Sequence, residues 1–333
     1  MYKKIVITKT PLRISLFGGG TDIRNFYKKN SGSVISSTVD KFVYVTVKEH
    51  GKLFNEKYRL SYSRTENKKN LTKIQNNIIR ETLKKIKINK PIYISSISDI
   101  PSGSGLGSSS AFTVGLIKAL YEFKNKKISN LQLAKLACEI EIDKVKSPIG
   151  KQDQYATAVG GFNIIRFNKN SSVNVKKIND LKIIKSIFKN SLGIWIGNTR
   201  KTNKILNDQN QRFNKNEKNL LEIKKISQIF EKNLKKKFSI DEFSKLLNKS
   251  WLIKNILSKK ISTKKILKIY QTALNNGSMG GKVLGAGGGG FLFLLVKPNN
   301  KVKLKKEILK IDKYIKIVKF NFYKSGSEII LSL

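Results

Sequence analysis

The run Pro101-Ser102-Gly103-Ser104-Gly105-Leu106-Gly107-Ser108-Ser109-Ser110 is the strongest chemical signal in the chain. Glycines at 103, 105 and 107 let the main chain curl until successive N–H groups point inward. The run follows a strand-like segment, Pro91 to Ser98, and leads into a helix-like one that begins at Ser108. The first amides of that helix have no partner of their own, so loop and helix together form a cradle for an anion, with phosphate the natural occupant. No Gly-Lys-Ser/Thr ending follows the glycines, so the run is not a Walker A loop, and protein-kinase signatures are missing as well. A flexible Gly/Ser linker is the bland alternative, and the strand and apolar helix on either side argue against it.

Two further glycine clusters are present, Phe17-Gly18-Gly19-Gly20-Thr21-Asp22 and Gly285 to Gly290, which reads GAGGGG. The second contains Gly-x-Gly-x-x-Gly, but it precedes an apolar strand, Phe291 to Val296, and opens no helix. It therefore reads as a tight turn where backbone approaches a ligand or another part of the chain, not as a dinucleotide site. Two acids stand near these clusters. Asp153 lies in Gly150-Lys151-Gln152-Asp153-Gln154-Tyr155 at a loop-to-helix junction, and Glu141 lies late in the helix containing Cys138-Glu139-Ile140-Glu141. Either could be a plain surface charge. A single histidine, His50, and a single cysteine, Cys138, exclude an internal disulfide and any zinc site with more than two Cys/His ligands, and they leave a Ser-His-Asp hydrolase nothing but His50 to rest on.

The elements that must position these groups follow from hydrophobic periodicity. Strands are expected at Lys4 to Ser15, Val39 to Lys48, Pro91 to Ser98, Phe162 to Phe167, Val173 to Lys177, Leu192 to Gly197 and Phe291 to Val296. Helices are expected at Leu71 to Ile86, from Ser108 through Phe123, at Leu131 to Asp143 with Asn130 as its cap, near Asn214 to Lys235, and at Ile240 to Leu257 and Thr263 to Asn276. A last helix and strand fall between Val302 and Tyr323. The mixture predicts an α+β class without a long run of regular βα units. At 333 residues the chain is long enough for two domains. The boundary is placed in the lysine- and asparagine-rich stretch up to Asn190, dividing the chain into 1–180 and 181–333.

Lys and Arg total 67 against 22 Asp and Glu, a formal net charge of +45. Taken alone this is the footprint of a nucleic-acid or membrane-surface binder. The make-up argues otherwise, because 59 of the cations are Lys and only 8 are Arg, and Asn and Ile are abundant too. These three residues share A/T-rich codons, so a base bias accounts for the composition, and lysines spread over nearly every segment read as a solvated surface. No specific nucleic-acid partner and no membrane association are expected, and no oligomeric state is assigned. The N-terminal MYKKIVITKTPLR lacks an apolar core and a small-residue cleavage site, so a cytoplasmic location is expected.

Three glycine clusters in this order, with an Asp-Gln pair between the second and third, resemble the small-molecule kinases named for galactokinase, homoserine kinase, mevalonate kinase and phosphomevalonate kinase, the GHMP superfamily. The matching motifs are Pro11 to Asp22 (PLRISLFGGGTD), Pro101 to Ser110, and Lys282 to Phe291 (KVLGAGGGGF), and the resemblance covers nearly the whole chain. It implies a two-lobed fold, with an N-terminal α/β domain holding a left-handed βαβ unit, a C-terminal ferredoxin-like α+β domain, and the nucleotide between them. It also implies phosphoryl transfer from ATP with Mg²⁺. Pro101, Ser102, Gly103, Ser104, Gly105, Leu106, Gly107, Ser108 and Ser109 match the nucleotide-phosphate loop, and Ser109 and Glu141 match the metal ligands, with Glu139 as the alternative acid. Asp153 matches the catalytic base and Arg13 the basic residue beside it. Gly19, Gly20, Thr21 and Asp22 match the sugar-binding segment, and Gly287 and Gly288 a turn closing from the other lobe. GGGTD, SDIPSGSGLGSSS and QDQYATAVGGFN look most like bacterial D-glycero-D-manno-heptose 7-phosphate kinases, which implies phosphorylation at the anomeric hydroxyl for surface-polysaccharide precursors. A kinase for another sugar such as fucose is the alternative, and a basic nucleic-acid-binding protein the alternative of another class. The sequence departs from the galactose type at Gly19-Gly20, where those enzymes carry Glu-His, and from many relatives at Leu284, where a small hydroxyl residue is usual.

Overall fold

The computed structural model describes residues 2–51, 53–197, 202–234, 236 and 238–333. In chain order the first part comprises β1 (Ile5–Phe17), α1 (Arg24–Asn30), β2 (Gly32–Glu49), β3 (Tyr58–Ser61), β4 (Thr65–Lys68), α2 (Asn77–Ile86), β5 (Ile92–Ser98), α3 (Ser108–Phe123), α4 (Asn130–Cys138), α5 (Gln152–Val159), β6 (Phe162–Phe167) and β7 (Val173–Lys177). Then come α6 (Leu181–Asn190), β8 (Ser191–Trp195), α7 (Thr202–Gln211), α8 (Phe213–Asn233), α9 (Ile240–Ile256), α10 (Lys264–Asn275), β9 (Ser278–Val283), β10 (Phe291–Val296), α11 (Lys301–Ile311), β11 (Lys316–Val318) and β12 (Glu328–Ser332). The α+β class expected from the sequence is the one observed.

The larger sheet runs β12-β1-β2-β5-β3-β4, with β6 on the first half of β2 and β7 on β6. Only β3 and β5 pair in parallel among the described strands. β2 is longer than expected because Gly32 to Thr38, a serine-rich segment without clear alternation, is buried on both faces between β1 and β6. The smaller sheet runs β11-β8-β10-β9, all antiparallel. Numbered within its own lobe this is strand order 4-1-3-2 of a βαββαβ unit, the ferredoxin-like arrangement. Helix α3 lies across β1 and β2, its buried face apolar apart from Ser110 and Thr113, and its Gly115 sits where a Cβ would come 2.7 Å from Thr10 Oγ1. No described helix is long and apolar enough to cross a membrane.

Several expectations are corrected. Ser129, not Asn130, caps α4: its Oγ accepts from Gln132 N at 3.3 Å while Gln132 Oε1 accepts from Ser129 N at 3.1 Å, a reciprocal capping box. That helix ends at Cys138 and opens into a wider π-helical turn over Glu139–Lys144, closed by Val145 N donating to Ile140 O at 2.9 Å. The lysine- and asparagine-rich stretch in which the boundary is placed holds α6, started by Asp180 accepting from Lys182 N and Ile183 N, with Ile183, Ile184 and Ile187 in the main core. The pairing of β12 with β1, Val6 opposite Ser332, returns the chain's last strand to the larger sheet, across a division at residue 180. Elements α1, β3, β4, α7, β9 and β12 were not expected at all. Lys235, the expected end of the eighth helix, lies outside the described residues.

Candidate active site

Arg13 sits in the middle of β1, 3% exposed, and its guanidinium reaches out of the sheet. Nε and Nη2 donate to the two oxygens of Asp153 at 2.7 and 2.6 Å, and Nη1 donates to Gly105 O at 2.6 Å. This fork-on-fork pairing is the strong, directional form of an ion pair. It fixes the carboxylate, in the first turn of α5, directly against the glycine loop. The loop has the shape expected of it: Gly103, Gly105 and Gly107 take φ of +75°, +82° and +77°, values that favour glycine. Gly103, Gly105, Gly107, Ser108 and Ser109 line a cleft of about 660 Å³ between the lobes. Ser104 and Leu106 do not: both are fully buried beneath the loop, Ser104 O accepting from Phe291 N of the other lobe and Leu106 O from Arg13 N. Pro101 and Ser102 stand on the exposed outer side. From Gly103 to Gly107 every second residue thus lines the cleft while Ser104 and Leu106 are pegs beneath it.

The π-helical turn separates the two candidate acids. Glu139 points outward and pairs with Lys85 on the surface at 2.6 Å. Glu141 is 1% exposed, accepts from Ser109 Oγ at 3.0 Å and Gln154 Nε2 at 2.6 Å, and lines the cleft. Burial pushes the Glu141 carboxyl up from the usual carboxylate range, and the charge of Asp153 adds to the shift. Asp22 is likewise buried and pushed up by desolvation. Its oxygens accept from Gly20 N, Gln152 N and Gln152 Nε2 at 3.0–3.1 Å. Gly150 makes room for it, since a Cβ there would lie 2.0 Å from Asp22 Oδ2.

Gly19, Gly20, Asp22 and Gly287 line the cleft as expected. Thr21 does not reach it: its hydroxyl is fully buried, donating to Gly18 O and Ser33 O and accepting from Ser33 N, which ties the GGGTD turn to β2. Gly288 also faces away, its N–H donating to Ile261 O at 2.7 Å. Leu284 is buried with its carbonyl against the loop: a Cβ on Gly105 would fall 2.5 Å from it.

The two lobes therefore meet glycine to glycine, at Gly105 and Gly285. Likeness to known proteins agrees with the geometry. Residues 72–161 match the GHMP kinases N terminal domain and residues 230–315 the GHMP kinases C terminal domain. The chain is 35% identical over 339 residues to D-glycero-alpha-D-manno-heptose 7-phosphate kinase of Campylobacter jejuni, spanning 97% of this chain and 98% of that one.

The chain is a GHMP kinase.

Solved structures of the fold include a putative sugar kinase from Campylobacter jejuni, 28% identical with a TM-score of 0.75 over 99% of both chains. Mevalonate kinase of Methanococcus jannaschii is 27% identical with a TM-score of 0.72 over 96% of this chain and 98% of that one. Residues that sequence reasoning passed over also line the cleft. Lys254 on α9 and Lys282 on β9 bring two amino groups, and Ser15, Gln152 and Gln209 bring Oγ, Oε1 and Nε2 atoms that are buried without a hydrogen-bond partner. Lys254 has no distinguishing signal among the 59 lysines and Lys282 only its place at the start of KVLGAGGGGF, whereas Gln152 stands next to Asp153 and could have been weighed with it.

Proposed function

We propose that this kinase transfers the γ-phosphoryl group of ATP to the anomeric hydroxyl of D-glycero-D-manno-heptose 7-phosphate. The observation that carries the reading is the Arg13 guanidinium, which holds the Asp153 carboxylate and the carbonyl of Gly105 at once, so that a proton acceptor stands at the mouth of a phosphate cradle. The relative from Campylobacter jejuni supplies the acceptor by name. Ser15, Gln152 and Gln209 support a polyhydroxylated acceptor: a buried polar atom left unpaired costs about 1–3 kcal/mol, which hydroxyl groups seated in the cleft would remove. With ATP as the phosphoryl donor, the reaction belongs in the cytoplasm.

In this reading the backbone amides of the cradle and the start of α3 hold the phosphates, and the cleft near Tyr62 and Asn76 takes the nucleoside. Asp153 accepts the proton of the attacking hydroxyl. Arg13 holds that carboxylate in place through both of its oxygens and faces the charge that gathers on the phosphoryl oxygens. Ser109 and Glu141, two oxygen groups 3.0 Å apart, suit Mg²⁺, which binds few protein ligands and keeps waters. Held by Ser109 and Glu141, the metal would supply charge that offsets the phosphates.

Two results check this assignment. Glu141→Gln raises the Mg²⁺ concentration for half-maximal rate by about tenfold or more, whereas Glu139→Ala leaves it unchanged; the reverse pattern would move the metal to Glu139. Glu141 also carries a stability signature. Its folded pKa lies above its unfolded one, so its contribution is complete at low pH and is lost as pH rises through the folded value. The melting temperature of Glu141→Gln relative to wild type therefore shifts upward as pH goes from about 4 to about 8, read by thermal denaturation without metal. A shift in the opposite direction would mean the acid is stabilised as the anion by its neighbours. The acceptor is tested by ADP release against a panel of sugars and sugar phosphates. Heptose 7-phosphate should give the highest kcat/KM, and a higher value for fucose would favour the alternative sugar.

A further inference from the structure

Lys254 projects from α9 into the wall of the cleft. Its Nζ donates to Val283 O at 3.1 Å and to Gly285 O, both in the segment leading into the GAGGGG turn. An ammonium has three donors, so one remains for the cavity the residue lines. Gly285 is the residue in contact with Gly105, and Gly105 O accepts from Arg13, so Lys254 and Arg13 flank one glycine-to-glycine contact from opposite lobes. We propose that Lys254 is a second cationic residue at the transfer point, its free N–H donating to an oxygen of the phosphoryl group as it passes from ATP to the acceptor.

The charges around it support an anionic occupant. Arg13 on β1 and Lys282 on β9 are its electrostatic neighbours; Asp153 on α5, Glu141 and Asp22 line the same cleft. Asp153 is engaged by both donor arms of Arg13, and Lys254 has only carbonyl partners. Lys282 differs, because its Nζ donates to Leu16 O at 2.9 Å, a strut between β9 and β1, and burial pushes its amine well below the usual lysine range. Carbonyls alone do not balance a cation held out of bulk water beside another cation. Burial and the nearby Arg13 accordingly push the Lys254 amine down to about 7. An incoming phosphate would favour its charged form again, so the free enzyme loses the ammonium as pH rises through neutrality while the substrate complex holds it to higher pH.

The proposal rests on the phosphoryl-transfer reading but not on which sugar accepts, so the test uses whichever acceptor the wild-type enzyme turns over best. Lys254→Gln keeps a donor for the carbonyls and removes the charge; it should lower kcat about 100-fold with ATP affinity, titrated directly, changed less than about threefold. Lys254→Arg should retain at least about a tenth of wild-type kcat and abolish the fall of kcat/KM on the alkaline side of neutrality, because guanidinium does not titrate there. A Gln variant with more than about a third of wild-type kcat, a defect confined to either KM, or an alkaline limb that survives in the Arg variant would each overturn the proposal. Should the Gln variant melt far below wild type, the pH profile of the Arg variant decides alone. Wild-type enzyme inert toward every acceptor would overturn the kinase reading and this proposal together, whereas an active wild type with an unaffected Gln variant overturns only the proposal.

Discussion

Asp153→Asn is expected to lower kcat by roughly 10²- to 10⁴-fold while leaving ATP affinity nearly unchanged. The amide keeps the shape of the side chain but cannot take a proton from the attacking hydroxyl. It also turns an NH₂ group toward one arm of the Arg13 fork, which loses one of its two bonds at 2.6–2.7 Å. The cradle is built from backbone around Gly103, Gly105 and Gly107, so ATP binding has no need of the carboxylate. Arg13→Lys separates the two contributions: it preserves a cation and loses the fork, so a much smaller loss there than in Asp153→Asn points to proton transfer and equal losses point to positioning. Steady-state kinetics at saturating ATP reads both. A loose phosphoryl transition state asks little of a base, so retention of more than about a third of kcat would remove Asp153 from that role.

Gly105→Ala should have an effect of similar size through a different cause. The residue holds φ at +82°, and a Cβ would meet Leu284 O at 2.5 Å and Leu284 C at 2.8 Å, backbone atoms that cannot swing aside. Relief requires the glycine turns of the two lobes to part, which displaces the carbonyl that Arg13 holds and with it the alignment of Asp153. A displacement of about 1 Å at reacting atoms costs on the order of 100-fold in rate, and the strained backbone about 1–3 kcal/mol in stability. Urea unfolding and kcat/KM measure the two parts. Gly51→Ala is the matched control, since its nearest neighbours are ring atoms of Phe54 at 3.9 Å and it should change neither quantity.

The cradle and α3 were legible in the sequence because strand, alternating glycine and apolar helix each restrict the next. The Arg13–Asp153 pair came only from family resemblance, for the two residues are 140 positions apart and no local pattern links them. The choice between Glu139 and Glu141 turned on a π-helical turn. Two residues apart on a helix lie on opposing sides, and the sequence does not say which side faces the phosphates. Helix α6 was hidden by composition, its three buried isoleucines standing among lysines and asparagines. The strand β12 has five residues and a partner at the other end of the chain, so nothing near it reveals the pairing. Ser129 and Asn130 are both good capping residues, and the reciprocal bond from Gln132 is what selects the first. Lys254 is invisible for the plainest reason: with 59 lysines in the chain, only burial and carbonyl partners single one out.

The most direct test of the central claim is phosphorus NMR of the reaction of wild-type enzyme with ATP, Mg²⁺ and D-glycero-D-manno-heptose 7-phosphate. A hydroxyl deprotonated by Asp153 at the mouth of the cradle should yield one new phosphate ester per ADP, its phosphorus coupled to the anomeric proton. Formation of ADP with inorganic phosphate alone, or of an ester at any other carbon of the sugar, would contradict the account.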